Sequence, residues 1–261
     1  MLLDNQIDIS KELMDFIKES PTAFHVVKNF STMLEKAGFI KLNERNKWKI
    51  EQGGKYYVTR NDSSIIAFQV PDNMDFYNFQ IAAAHSDSPA FKIKENPEMV
   101  EDNNYVTLNV EKYGGMLMAP WFDRPLSVAG RVIVREDSGL KPVLVNVDRD
   151  LCVIPNLAIH MNRDVNNGIK YNPQKDMIPL FGEITSKDKF EKIIAMEAGT
   201  DADSIVSADL FLYNREVGKI WGADNEFMSA PRLDDVMCAF SCIKALTDNK
   251  ENSKSVNVCA I

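Results

Sequence analysis

His85-Ser86-Asp87-Ser88-Pro89 is the stretch of this chain with the most chemistry to offer. It follows the apolar run Ile81-Ala82-Ala83-Ala84, which reads as a buried strand. A strand that ends in His-x-Asp presents an imidazole and a carboxylate at its carboxyl end, where open α/β sheets build their sites. With alternating side chains, His85 and Asp87 fall on one side of an extended segment. A neutral imidazole is a good zinc ligand, and a neighbouring carboxylate can fix its tautomer. Asp234 and Asp235 follow Pro231-Arg232-Leu233 where a helical pattern begins. Two readings stand for them: acidic residues favoured by the dipole at a helix N-terminus, or a carboxylate that bridges two metal ions. The chain has two further histidines, His25 and His160. His25 lies among apolar neighbours in a helical pattern, where a packed, structural imidazole is expected. His160, in Leu157-Ala158-Ile159-His160, belongs to a strand-rich stretch. Nucleophile-elbow, P-loop and dinucleotide-binding motifs are absent from the sequence.

The elements that must position these residues can be read from periodicity and punctuation. Ser10 to Glu19 carries Leu13, Met14, Phe16 and Ile17, which suggests an amphipathic helix. A second helix has Ser20 as expected N-cap, Pro21 at its first position and Gly38 as its stop, with Phe24, Val27, Phe30, Leu34 and Ala37 on its apolar face. Strands are expected over Tyr56–Thr59, Ser64–Val70 and Phe79–Ala84. The texture then changes. Val106–Val110, Val128–Val134, Val143–Val147 and Leu151–Ile154 read as strands separated by turn-rich segments, with a short helix near Lys187–Ala198. A helical pattern returns near Arg232, with Val236, Phe240, Ile243 and Leu246 on one face, and a last strand begins near Ser255. The order is α/β, a β-rich block, then α/β again, and the middle reads as an inserted domain.

Composition sets outer bounds. The chain has 261 residues, 45% hydrophobic and 26% charged, in the range of globular proteins. A net charge of −8 argues against nucleic acid as a partner. No apolar run is long enough to span a bilayer as a helix. The first residues show neither a basic region nor a long apolar one, so no signal peptide is expected. The four cysteines, Cys152, Cys238, Cys242 and Cys259, form no CxxC pair. They read as reduced, buried, inert thiols, with Cys238 and Cys242 on one helix face, and a cytoplasmic setting follows.

Taken together, several stretches resemble the aspartyl aminopeptidase family of dinuclear zinc exopeptidases. Ser20-Pro21-Thr22-Ala23-Phe24-His25 is similar to the family's opening helix, and His85-Ser86-Asp87-Ser88-Pro89-Ala90-Phe91-Lys92-Ile93-Lys94 to its first metal motif. Tyr113-Gly114-Gly115 and the run from Trp121-Phe122-Asp123-Arg124-Pro125 to Val132 resemble its most recognisable signature. Pro155-Asn156-Leu157-Ala158-Ile159-His160 and the run Asn172 to Leu180 follow in the family's order, and Ser229-Ala230-Pro231-Arg232-Leu233-Asp234-Asp235 resembles the second metal motif. Asp235 departs from the Asn common there.

The resemblance implies an α/β, zinc-aminopeptidase-like sandwich domain, here incomplete, formed by residues 1–93 and 229–261. It is interrupted by a β-rich dimerisation domain over 94–228. It implies zinc, two ions per complete active site, peptide substrates with acidic N-terminal residues, and a homo-oligomer built through the inserted domain. Carried over by motif, His85 and Asp234 are metal ligands, Asp234 as the bridge, and Asp87 is the catalytic-site residue that orients His85. A cis peptide between Asp234 and Asp235 is part of the same expectation. His160 has a counterpart tied to the active site, either as a metal ligand or by reaching a neighbouring subunit's site.

In the family, the strand at Val256–Ile261 leads into a Glu-Glu pair, followed by a further Asp and a His. The expectation is therefore an N-terminal portion that lacks its general base and several ligands. Two zinc ions need about four ligands each, and loss of the base alone lowers rate by roughly 10²–10⁴. A fragment of that kind is expected to be inactive alone, with exposed apolar surface at its sheet edge. The alternative expectation is a non-catalytic truncated paralogue serving as an oligomerisation or binding module.

Overall fold

The computed structural model describes residues 2–73, 78–249 and 254–261. The elements run α1 (Leu2–Lys18), α2 (Ala23–Lys36), β1 (Ile40–Lys41), β2 (Lys55–Arg60), β3 (Ser64–Gln69), β4 (Asn78–Ala83), β5 (Ala90–Glu101), β6 (Tyr105–Tyr113), β7 (Leu126–Glu136), β8 (Gly139–Asn146), β9 (Leu180–Glu183), α3 (Phe190–Ala198), β10 (Ile205–Asn214), β11 (Lys219–Trp221), β12 (Phe227–Ser229), α4 (Leu233–Asp248) and β13 (Ser255–Ala260). They form two compact units, Met1–Ser88 with Val217–Ile261, and Pro89–Glu216. The sequence put these boundaries at 93/94 and 228/229. They differ in the structure because β5 pairs with β6 from Ala90 onward, and because the β11–β12 hairpin belongs to the first unit.

In the first unit the sheet order is β1-β2-β3-β13-β4. β13 is antiparallel to β3 and parallel to β4, with Val258 opposite both Phe68 and Ile81. The strand nearest the end of the chain thus lies between two strands from its beginning. α1, α2 and α4 supply the apolar faces that close this core. Phe16 stacks on Phe30 at 4.6 Å and tilts against Phe240 at 5.4 Å. Ile17, Leu34, Tyr57, Ile65, Val236 and Ile243 are fully buried around them. The helix face read from the sequence of α4 is the face that is buried.

The structure departs from two local expectations. α2 begins later than its punctuation suggested. Thr22 is its N-cap residue, with its carbonyl accepting from Val26 N at 3.0 Å, and makes no side-chain cap. Ser20 is buried and its hydroxyl instead accepts from Asn29 Nδ2 at 2.9 Å, which takes it away from capping. At the other end Gly38 has φ 84°, and Phe39 N donates to Leu34 O at 2.9 Å. That αL glycine with its 6→1 bond is the stop the sequence indicated.

The second correction concerns β4. Its apolar sequence suggested a buried strand, yet every residue of it is exposed, Phe79 at 62% and Ile81 at 66%. Among the described residues it is the edge of the sheet, paired on one side only. Apolarity recorded that the strand is built for burial, and not that this chain supplies the cover.

The second unit is a six-stranded sheet in the order β8-β7-β10-β5-β6-β9, antiparallel throughout. One face packs Phe91, Leu108, Val128, Val132 and Leu212 into a core with Phe190 and Ile194 of α3. Leu151–Ile154, expected as a strand, makes isolated bridges only. On β10, Asp209 receives Lys92 Nζ and Arg131 Nη2, each at 3.0 Å. Burial works to raise the Asp209 pKa, but these two cations outweigh it and hold it below the usual carboxylate value. The mixed α/β class read from the sequence holds for the whole. Among the described residues no helix is long and apolar enough to cross a membrane.

His25 is buried in α2 with its Nδ1 2.9 Å from Thr22 Oγ1. Burial first, then the charges of Lys28 and Arg232, push its pKa down to about 4. Between its ordinary value of about 6.5 and 4, the unfolded chain takes up a proton at this position that the folded chain refuses. Stability therefore falls as pH falls through that window, by up to roughly 3 kcal/mol, and is unaffected by this group above it. Urea midpoints at pH 7 and pH 4.5 are expected to diverge less in His25→Gln than in the wild type.

Candidate metal centre

β4 ends at Ala83, and Ala84 N donates to Ala260 O at 3.1 Å, so β13 carries the chain's direction up to the turn that follows. His85, Ser86 and Asp87 then leave the sheet. Ser86 Oγ donates to Ser63 O at 2.8 Å and pins the turn to the β2–β3 hairpin. His85 Nδ1 lies 3.0 Å from the backbone carbonyl of Asp87 and 3.3 Å from its carboxylate Oδ1. A carbonyl oxygen only accepts, so the proton of the neutral ring sits on Nδ1 and the lone pair on Nε2. Nε2 faces the N-terminus of α4. Asp234 Oδ1 is 3.5 Å from it and Asp235 Oδ2 is 3.8 Å from it.

The start of α4 is not a regular helix. Arg232 is in the αL region, Asp234 has φ −87° and ψ 111°, and Asp235 has φ −117° and ψ 18°. The Asp234–Asp235 peptide is cis. This backbone brings both carboxylates to the same imidazole, which consecutive residues of a regular helix would not do. Two bonds lock the arrangement from residues 150 and 146 positions earlier in sequence. His85 N donates to Asp235 Oδ2 at 3.1 Å, and Ser88 Oγ donates to Asp234 O at 2.8 Å.

The two carboxylates differ in setting. The Asp234 side chain is 87% exposed, and that of Asp235 is 16% exposed. Burial works to raise the Asp235 pKa. The Cys238 thiol, the His85 N–H and the His85 ring outweigh it, so Asp235 titrates below the ordinary aspartate value. The same contact pushes Cys238 up and keeps it a protonated donor. Cys238 is exposed and Cys242 half-buried, which corrects the expectation of four buried thiols; Cys152 and Cys259 are buried. What raises the Cys238 pKa first is the Asp235 carboxylate beside it rather than burial.

One nitrogen and two carboxylate oxygens, from His85, Asp234 and Asp235, lie within 4.8 Å of one another. An imidazole nitrogen that faces two carboxylates suits a divalent cation, and the donor set fits zinc. The sequence reading named His85, Asp87, Asp234 and His160, and the first three lie together in the structure. It did not assign Asp235 a part, although the doubled acid at a helix start was the available signal. Ser88 was likewise visible only as part of its motif. His160 is exposed in a turn of the second unit and is not one of the three clustered donors.

Residues 16–261 match the family described as aminopeptidase I zinc metalloprotease (M18). The chain is 49% identical over 267 residues to the probable M18 family aminopeptidase 2 of Clostridium acetobutylicum, covering 99% of this chain and 61% of that protein. Its fold matches that of mApe1 from Chaetomium thermophilum with a TM-score of 0.88 and 32% identity, over 97% of this chain and 61% of the other. It matches the S. cerevisiae mApe1 dodecamer with a TM-score of 0.82 and 27% identity, over 98% of this chain and 60% of the other. The chain thus spans about three fifths of the length of these relatives.

Calorimetric titration with zinc is expected to give one weak site per chain. His85→Ala and Asp234→Ala each remove it. Asp87→Ala weakens it by about tenfold only, because the backbone carbonyl at that position still holds Nδ1–H.

Proposed function

The chain belongs to the M18 family of aminopeptidase I zinc metalloproteases, and from that premise we propose that the whole protein is a zinc aminopeptidase acting on peptides with acidic N-terminal residues. This chain contributes one side of a dinuclear site. The observation that carries the reading is the convergence of His85 Nε2 with the Asp234 and Asp235 carboxylates. In this reading His85 and Asp234 would hold zinc, and Asp87 would orient the His85 ring. Asp235 holds the His85 backbone and closes the cluster from its buried side. His160 serves the site of a neighbouring subunit or completes a metal shell. Bound there, zinc supplies Lewis-acid polarisation of a peptide carbonyl and activation of water.

Three donors cannot fill two zinc shells of about four ligands each. The remaining ligands and the general base belong, in this proposal, to the length by which the relatives exceed this chain. The bare edge of β4 supports that assignment. Phe79 and Ile81 stand on one face of a strand paired only with β13 among the described residues, and Ile81, Ala82, Cys242 and Leu246 line a groove between β4, β13 and α4. Unpaired edges with apolar faces are covered in stable proteins.

Assembly of the whole protein as a homo-oligomer is part of the proposal, with the second unit as the dimerisation domain. It is supported by the dodecameric state of the S. cerevisiae relative and by exposed Leu117, Leu157 and Met161. A cytoplasmic location goes with the free cysteines.

Fluorogenic aspartyl and glutamyl amides test the proposal. The 261-residue chain is expected to give no zinc-dependent turnover. A whole protein carrying the family's additional length is expected to cleave both, and His85→Ala in that protein to abolish cleavage. Robust turnover by the chain alone contradicts the divided site.

A further inference from the structure

We infer that Arg232 is a positioning residue for the metal cluster: its αL backbone and its guanidinium, anchored on the end of α1, set the line on which Asp234 and Asp235 meet His85. The inference rests on the metal reading proposed above and adds a residue to it.

Arg232 has φ 59° and ψ 27°, a conformation that glycine or asparagine adopts most readily. A large side chain there is unfavourable unless the side chain itself makes a compensating contact. Arg232 makes one: Nη2 donates to Ile17 O at 2.8 Å. Ile17 lies in the last turn of α1, where the dipole favours a cation, and its carbonyl, which also accepts from Ser20 N at 3.1 Å, takes the guanidinium as a second donor. The anchor is rigid, because Ile17 is 1% exposed and belongs to the core around Phe16, Phe30 and Phe240.

The residues that follow need such an anchor. Asp234 and Asp235 lie outside helical φ/ψ, and the first turn of α4 has no side-chain cap. A regular hydrogen-bond ladder therefore does not fix their direction. The bonds from Ser88 and from His85 N tie the two aspartates to the His85 turn. The Arg232 bond ties the same segment to the helical core. Together they hold the carboxylates between two fixed points.

Arg232→Gly separates the backbone role from the side-chain role, because glycine keeps the αL conformation without strain and deletes the anchor. Arg232→Met keeps the aliphatic stem without any donor, and decides the matter if the glycine variant does not fold. Zinc alone is titrated into each folded variant by calorimetry, with melting temperatures measured free of metal. The expected result is a loss of roughly 10- to 100-fold in zinc affinity for both variants, with partial recovery in Arg232→Lys, which retains a donor. Affinity within about threefold of wild type in the folded variants, whatever their melting temperatures, overturns the inference while leaving the metal site standing. Absence of wild-type zinc binding sensitive to His85→Ala removes the metal reading itself and this inference with it.

Discussion

The pairing of β13 with β4 is the constraint on which the arrangement of the first unit depends. Val256 to Ala260 run parallel to Phe79 to Ala83, and the pairing continues as far as Ala84. α4 immediately precedes β13 in the chain, so fixing β13 beside β4 also fixes where α4 lies on the sheet. α4 then packs Val236, Phe240 and Ile243 onto the core formed by α1 and α2. Its N-terminus comes to rest at the turn that follows β4. His85 and Asp234, far apart in sequence, are neighbours because a strand pair and a helix face leave no other place for them.

At that point local chemistry takes over from packing. The Asp87 carbonyl selects the tautomer of His85, and two carboxylates face the lone pair that results. A regular helix start could not have presented both acids to one ring. The departure from helical geometry at Arg232, Asp234 and Asp235 is therefore the feature that turns an ordinary acidic helix N-terminus into a cluster of donors. Bonds from His85 N and Ser88 Oγ hold it on one side and the Arg232 anchor on the other.

Much of this was legible in the sequence, and the limits have physical causes. His-x-Asp after an apolar run located the turn, and Pro231-Arg232-Leu233-Asp234-Asp235 located the helix start. The buried face of α4 followed from 3.6-residue periodicity, and the stop of α2 from Gly38. What failed were inferences in which burial was read from apolarity. Ile81-Ala82-Ala83-Ala84 is apolar yet its strand is bare, because cover is a property of neighbours and not of the strand itself. Cys238 is exposed for the same reason, since its place on α4 faces away from the core. The role of Asp235 was hidden because neighbouring residues on a regular helix point in different directions. Ser20 misled because its hydroxyl is taken by Asn29.

In the proposed site, His85 and the acids opening α4 would enclose a divalent cation. Anomalous diffraction at the zinc edge, from crystals of the chain soaked in zinc, tests it most directly. A peak is expected within coordination distance of His85 Nε2 and an Asp234 oxygen, lost in His85→Ala crystals. Zinc at other surface carboxylates with none at His85 would contradict it.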